Sequence, residues 1–231
     1  MDVGILRELI LFMVPLLLSL SFHEASHAWA AHKLGDDTAS LQGRLTLNPL
    51  AHIDVFGTII LPILMIISGG LIPFGYAKPV PVNSLRLRGD RRRASMLVSI
   101  MGPLSNLFLA LICVLLLGFI LKFSTNQAGL YASFSIEILK KAFYLNVVLG
   151  VFNLIPIPPL DGHAVLANFL PSHLADQFER LGMYGFVFLM VLFYTGILRY
   201  LMIPAQWIIA LLLQYGSILF QENLMRLFVY G

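Results

Sequence analysis

Apolar residues run in long blocks along this chain, and the polar residues between them are gathered into short connections. Six apolar segments stand out, at about 5–33, 55–73, 96–121, 140–157, 183–198 and 201–220. A membrane-spanning helix needs about 20 mostly apolar residues, and the hydrocarbon tolerates only helices or closed barrels. The blocks therefore predict an all-α polytopic membrane protein. Residues 34–54 hold Gly, Asn-Pro and the alternating stretch GRLTL, which predicts a turn followed by a short β-ribbon. The next connection opens with FGYAKPVPVN, where alternating Pro and Val favours extended backbone and forbids a helix. No internal repeat and no low-complexity segment is visible.

Composition narrows the class. The chain has 231 residues, 58% hydrophobic and 12% charged, with a mean hydropathy of +0.86. A soluble domain carries about 25% charged residues, so polar side chains are too few here to cover a water-soluble surface. The longest polar stretches are too short to bury a core of their own. One membrane domain over residues 1–231 is expected. Asp2 and Glu8 flank the start of the first apolar block, and His23, Glu24 and His27 lie in its later part. That is a poor cleavable signal, so the block reads as a retained helix. The single cysteine, Cys113, sits in an apolar run and can form neither an internal disulfide nor a multi-thiolate metal site.

Charge placement matters more than the net charge of +3. Lys78, Arg86, Arg88, Arg91, Arg92 and Arg93 cluster in the connection at 74–95. The positive-inside rule assigns that connection to the cytoplasm. The run lacks interleaved aromatics and lies between apolar segments, so no nucleic-acid partner is expected.

The candidate chemistry begins with His23-Glu24-Ala25-Ser26-His27, an HExxH pattern inside an apolar helix. Positions i and i+4 share a helix face, so both imidazoles can reach one metal ion. Glu24 lies beside that face, where it can take a proton from an attacking water. Ionisable groups are costly in lipid and mark function by default. Zinc held by two histidines takes a third protein ligand, commonly a carboxylate. Asp161 is the candidate, in Asn153-Leu154-Ile155-Pro156-Ile157-Pro158-Pro159-Leu160-Asp161-Gly162, where prolines unwind the end of an apolar helix. An ordinary turn after a helix is the plain alternative for that stretch.

HEASH in the first apolar segment, with NLIPIPPLDG some way downstream, resembles the site-2 protease family of intramembrane zinc metalloproteases. GPLSN, from Gly102 to Asn106, resembles the start of that family's middle core helix. The likeness covers about residues 5–170, with additional helices at about 180–220. It implies a three-helix catalytic core, one Zn2+ per chain on His23, His27 and Asp161, Glu24 as general base, and Asn153 as a substrate or oxyanion contact. GRLTLNPLAHID and FGYAKPVPVN look like the short, minimal branch, without a PDZ insertion or a CBS pair. Implied partners are the lipid bilayer and transmembrane substrate proteins, cleaved within or near the bilayer. The implied location is a prokaryotic inner membrane, with the site towards the cytoplasm. A helical substrate hides its carbonyls and must unwind. GRLTL or AKPVPV could then hold it by strand addition.

His52 and Asp54, in NPLAHIDVFG, are a possible second shell around a ligand, or a second metal-binding pair. An interfacial hydrogen-bonded pair is the favoured reading. Other function classes are a membrane metal-ion transporter and a non-catalytic metal-bound scaffold. Transporters place sites between repeats, none is visible, and a scaffold has no need of Glu24.

Topology sets hydropathy against coordination. A full crossing by 55–73 would put His23 and His27 near one face of the membrane and Asp161 near the other, which one ion cannot bridge. Segment 55–73, broken by Pro62, Ser68, Gly69, Gly70 and Pro73, is therefore expected to enter and return on the cytoplasmic side, or to lie partly at the interface.

Overall fold

A computed structural model describes residues 3–67, 75–123 and 130–229 of the chain. Among the described residues, helices and turns account for all regular structure and no β-strand is present. The main helices are α1 (Val3–Lys33), α2 (Val55–Ile67, opening in a π-helical turn), α3 (Arg91–Phe123) and α4 (Leu130–Asn153). They are followed by α5 (Gly162–Phe169), α6 (Ser172–Arg180), α7 (Gly185–Thr195) and α8 (Ile203–Phe220).

Helices α1, α3 and α4 pack on one another as the centre of the fold. Lipid tails are as apolar as leucine, so close packing through small residues and buried hydrogen bonds must hold such a bundle together. Ala28, Ala31 and Ala110 are fully buried at these contacts. Apolar packing between α3 and α4 centres on Val114, Leu117, Phe143 and Val147, and Leu213 of α8 closes over it. Where α1 carries serines, Ser21 and Ser26 bond back to the carbonyls of Leu17 and Phe22. Their hydroxyls thus stay satisfied in apolar surroundings.

Among the described residues, three helical stretches are long and apolar enough to cross a membrane: Gly4–Lys33, Arg91–Phe123 and Leu198–Phe220. This differs from the expected six. The segment expected at 140–157 is a helix that starts at Leu130 and ends at Asn153, where Pro156 stops it. It therefore adds Glu137 to the Lys140 and Lys141 already inside the expected segment, and the three charges spoil its hydropathy. Two of those charges are paired across the α1–α4 contact, Arg7 with Glu137 and Glu8 with Lys141. The segment expected at 183–198 shrinks to the 11 residues of α7, ended by Gly196 in the left-handed region at φ 71°. Of segment 55–73, residues 55–67 are helical and 68–73, with Ser68, Gly69, Gly70 and Pro73, lie outside the described residues.

The ribbon expected at 34–54 is replaced by a helical turn at Thr38–Leu41 and a 3-10 turn at Pro49–Ala51. Asn48 caps the latter by accepting from the Leu50 N–H. Residues 75–83 form no helix, as expected, and they pair with turns and side chains instead of a strand. Tyr76 N–H donates to the Gly57 carbonyl at 3.1 Å, and Lys78 N–H to the His52 carbonyl at 2.9 Å. Thr58 donates to the Tyr76 carbonyl at 2.7 Å, and Arg44 to the Lys78 carbonyl at 2.5 Å. Pro79 and Pro81 have no N–H to extend a ladder. Local alternation signals extended backbone, but not who its partner is.

These bonds also fix where the connections lie. The chain passes Gly57 in the opening turn of α2 and is back beside it at Tyr76. A Cβ on Gly57 would fall 2.4 Å from the Tyr76 ring, so this close return needs glycine. Arg88 N–H donates to the Leu34 carbonyl at 2.8 Å, and Asn83 N–H to Asp36 at 2.6 Å. Arg92 reaches the carbonyls of Leu170 and Ser172. The ends of the three connections therefore meet at one end of the bundle. Asp36 is fully buried there. Burial works against its charge, but hydrogen bonds from Thr38 and the Asn83 N–H prevail and hold its carboxyl below the usual range.

Candidate metal centre

Helix α1 presents His23 and His27 one turn apart on the face that meets α3 and α4, and both are buried. Their Nε2 atoms lie 3.0 Å apart. Asp161 follows the proline-broken end of α4, where Leu160 N–H bonds to the Ile157 carbonyl and turns the chain back. A Cβ on Gly162 would sit 2.2 Å from the Leu154 carbonyl oxygen, so the residue after Asp161 must be glycine for this turn to close. The turn carries Asp161 Oδ2 to 3.1 Å from His23 Nε2 and 3.4 Å from His27 Nε2.

Three donor atoms about 2.0–2.1 Å from a tetrahedral zinc would stand about 3.3 Å from one another. The observed separations of 3.0, 3.1 and 3.4 Å fit that triangle. Protonation fits as well. His27 Nδ1 lies 2.8 Å from the Val98 carbonyl, and His23 Nδ1 lies 2.7 Å from Asn106 Oδ1. Both oxygens can only accept, so each Nδ1 carries the hydrogen and each Nε2 turns a lone pair inward. Two lone pairs and a carboxylate oxygen converging at such distances call for a cation between them.

Helix α3 supplies the space. A Cβ on Gly102 would lie 2.3 Å from His27 Nε2 and 2.7 Å from His23 Cε1. Pro103, next along, has no N–H to give the Ser99 carbonyl and loosens this turn of the helix. One residue earlier on the same turn, the Val98 carbonyl meets His27.

Glu24 is buried on the adjoining face of α1. Its Oε2 accepts from the Val80 N–H at 2.7 Å, so residues 75–83 pass beside the glutamate. Asn153 lies on the last turn of α4, with Nδ2 donating to the Leu149 carbonyl of its own helix at 3.0 Å. His52 and Asp54 do not join the centre. His52 Nε2 meets the Thr46 carbonyl at 2.8 Å, and Asp54 caps α2 by accepting from the Gly57 N–H at 2.7 Å. Both support the segment that reaches Glu24, and His52 Nδ1 is buried without a hydrogen-bond partner among the described residues.

Sequence reasoning missed Asn106, Asn146 and Ser19. Asn106 Nδ2 donates to the Ser19 carbonyl and to Asn146 Oδ1, and Asn146 Nδ2 donates to Ser19 Oγ and the Ala142 carbonyl. An asparagine within each of two apolar helices was the available signal.

The sequence model for Peptidase family M50 matches residues 11–133 and 123–193. The chain is 40% identical over 192 residues to "Putative zinc metalloprotease YwhC" of Bacillus subtilis, covering 83% of this chain and 84% of the relative. It is 34% identical over 190 residues to "Putative zinc metalloprotease Rip2" of Mycolicibacterium smegmatis, covering 82% and 69%. The protein of the same name from Mycobacterium tuberculosis is 35% identical over 177 residues, covering 77% and 64%. No solved structure matches the chain.

Proposed function

The chain belongs to peptidase family M50, the site-2 proteases, and from that membership we propose that this membrane metalloprotease is an intramembrane zinc endopeptidase cleaving transmembrane proteins. The observation that carries the reading is the convergence of His23 Nε2, His27 Nε2 and Asp161 Oδ2 within 3.4 Å of one another, with both histidine Nδ1 hydrogens committed elsewhere. These three side chains would hold one zinc ion. When bound, zinc acidifies a water and polarises a peptide carbonyl.

The remaining chemistry falls to the chain. Glu24 accepts the proton of the attacking water and returns it to the leaving amine. The Val80 N–H holds Oε2 in place for that transfer. Asn153, at the end of α4, donates to the substrate or its oxyanion after releasing the Leu149 carbonyl. Peptide recognition uses strand addition. The N–H groups of Tyr76, Lys78 and Val80 already have acceptors, and Pro79 and Pro81 have none to give; Gly43 and Arg44 spend theirs on the Ser40 and Ala39 carbonyls, so Leu45 to Leu47 of GRLTL are the candidate edge.

The site opens towards the cytoplasm of a prokaryotic cell. Arg86, Arg88, Arg91, Arg92 and Arg93 gather at the same end of the bundle as the ends of α1 and α4, and basic residues favour the inner face. Segment 55–73 enters and returns on that side, as the Gly57–Tyr76 bond supports.

The test is purified chain in proteoliposomes with transmembrane peptides, beside Glu24→Gln. Zinc-dependent peptide cleavage by the first and none by the second is expected. Metal flux without cleavage would replace the reading with a transporter, and metal binding with neither would leave a scaffold.

A further inference from the structure

We infer that Asn106 is a positioning residue for the metal centre, fixing His23 as the Nδ1–H tautomer, and that Asn146 in turn fixes Asn106. The argument is one of hydrogen-bond direction. The Ala142 carbonyl can only accept, so the amino group of Asn146 must face it, at 2.9 Å. The second N–H of that group donates to Ser19 Oγ at 2.8 Å. Asn146 Oδ1 is then left towards α3, where it accepts from Asn106 Nδ2 at 2.8 Å. The other N–H of Asn106 meets the Ser19 carbonyl at 3.2 Å. Both hydrogens of Asn106 are thereby spent, and only its Oδ1 can face His23 Nδ1, at 2.7 Å. An oxygen at that distance requires an N–H.

Neutral histidine in water favours the other tautomer. The network imposes the form whose Nε2 is free to ligate, before any ion arrives. Ser19, Asn106 and Asn146 are all buried, so water cannot substitute for a lost partner. The partners span α1, α3 and α4, so the orientation of His23 depends on how the three core helices dock. Loss of such an outer partner typically weakens metal binding about 10–100-fold.

The inference rests on the zinc reading, and two readouts keep their failures apart. The first is the nitrogen NMR signature of His23 in the metal-free full chain in micelles. Nδ1–H is expected in the wild type, and a shift towards Nε2–H in Asn106→Leu. Nε2–H at His23 in the wild type would overturn the inference. The second is zinc affinity by chelator competition, with the Co2+ visible spectrum as a check on geometry. Asn106→Leu should bind zinc about 10–100-fold more weakly. Asn146→Leu should lose less, and Asn106→Asp, which keeps an oxygen on His23, should recover part of the loss. Wild-type affinity and spectrum in a folded Asn106→Leu would overturn the inference. Should that variant fail to fold, the wild-type tautomer and the Asn146→Leu and Asn106→Asp affinities decide the matter. A wild type that takes up no zinc yet keeps Nδ1–H at His23 would sink the zinc reading and uphold the tautomer assignment.

Discussion

Gly102 faces His27 so closely that a Cβ built on it would stand 2.3 Å from the Nε2 atom. His27 has little room to retreat, because its Nδ1 is held by the Val98 carbonyl of the same helix. Gly102→Ala is therefore expected to displace a ligand even though alanine is the better helix former. Zinc content should fall well below one ion per chain while the circular dichroism of the bundle stays helical. Full zinc occupancy in Gly102→Ala would show that the helices part easily here.

Removing a ligand should have a simpler outcome. His23→Ala, His27→Ala and Asp161→Ala each leave two protein donors where catalytic zinc takes three. Elemental analysis of purified variants should find about one zinc per chain in the wild type and little in the three substitutions. Full retention in Asp161→Ala would remove that residue from the centre.

Catalysis separates from binding at Glu24 and Asn153. Glu24→Gln should keep zinc and fold but lose proteolysis, because an amide cannot accept the proton. Asn153→Ala should lower turnover about ten- to a thousandfold if its amide reaches the oxyanion. Near-normal cleavage by Glu24→Gln would end the proposed mechanism.

Sidedness follows from the bonds between connections. Leu34 and Arg88 are joined through their backbones, and Asp36 accepts from Asn83. Single cysteines at Ser40 and Ser84, in a Cys113→Ser background, should label from the same face of sealed vesicles. Labelling from opposite faces would contradict that arrangement.

The candidate metal site was legible in the sequence because its signals are local. HEASH needs only helical spacing, and Pro-Pro-Leu-Asp-Gly needs only a broken helix beside it. Hydropathy did worse. It cannot see that Arg7 offsets Glu137, so it places the start of the fourth segment ten residues late. GPLSN reads easily as a helix marker, while the partner of Asn106 lies 83 residues away on α1. The pairing of 75–83 was hidden for the same reason: its acceptors are turn carbonyls and a glutamate, none of which an alternating pattern specifies.

The Val80–Glu24 hydrogen bond ties two parts of the molecule that differ in how they are held. The helices are locked by buried side chains along their length. Residues 75–83 depend chiefly on a handful of hydrogen bonds to neighbouring turns, the kind of segment that opens locally at small free-energy cost. Warming or harsh detergent should fray it first and release the carboxylate while the bundle still stands. Inactivation and unfolding would then be two events at two temperatures, and the lower one would set the working range of the protein.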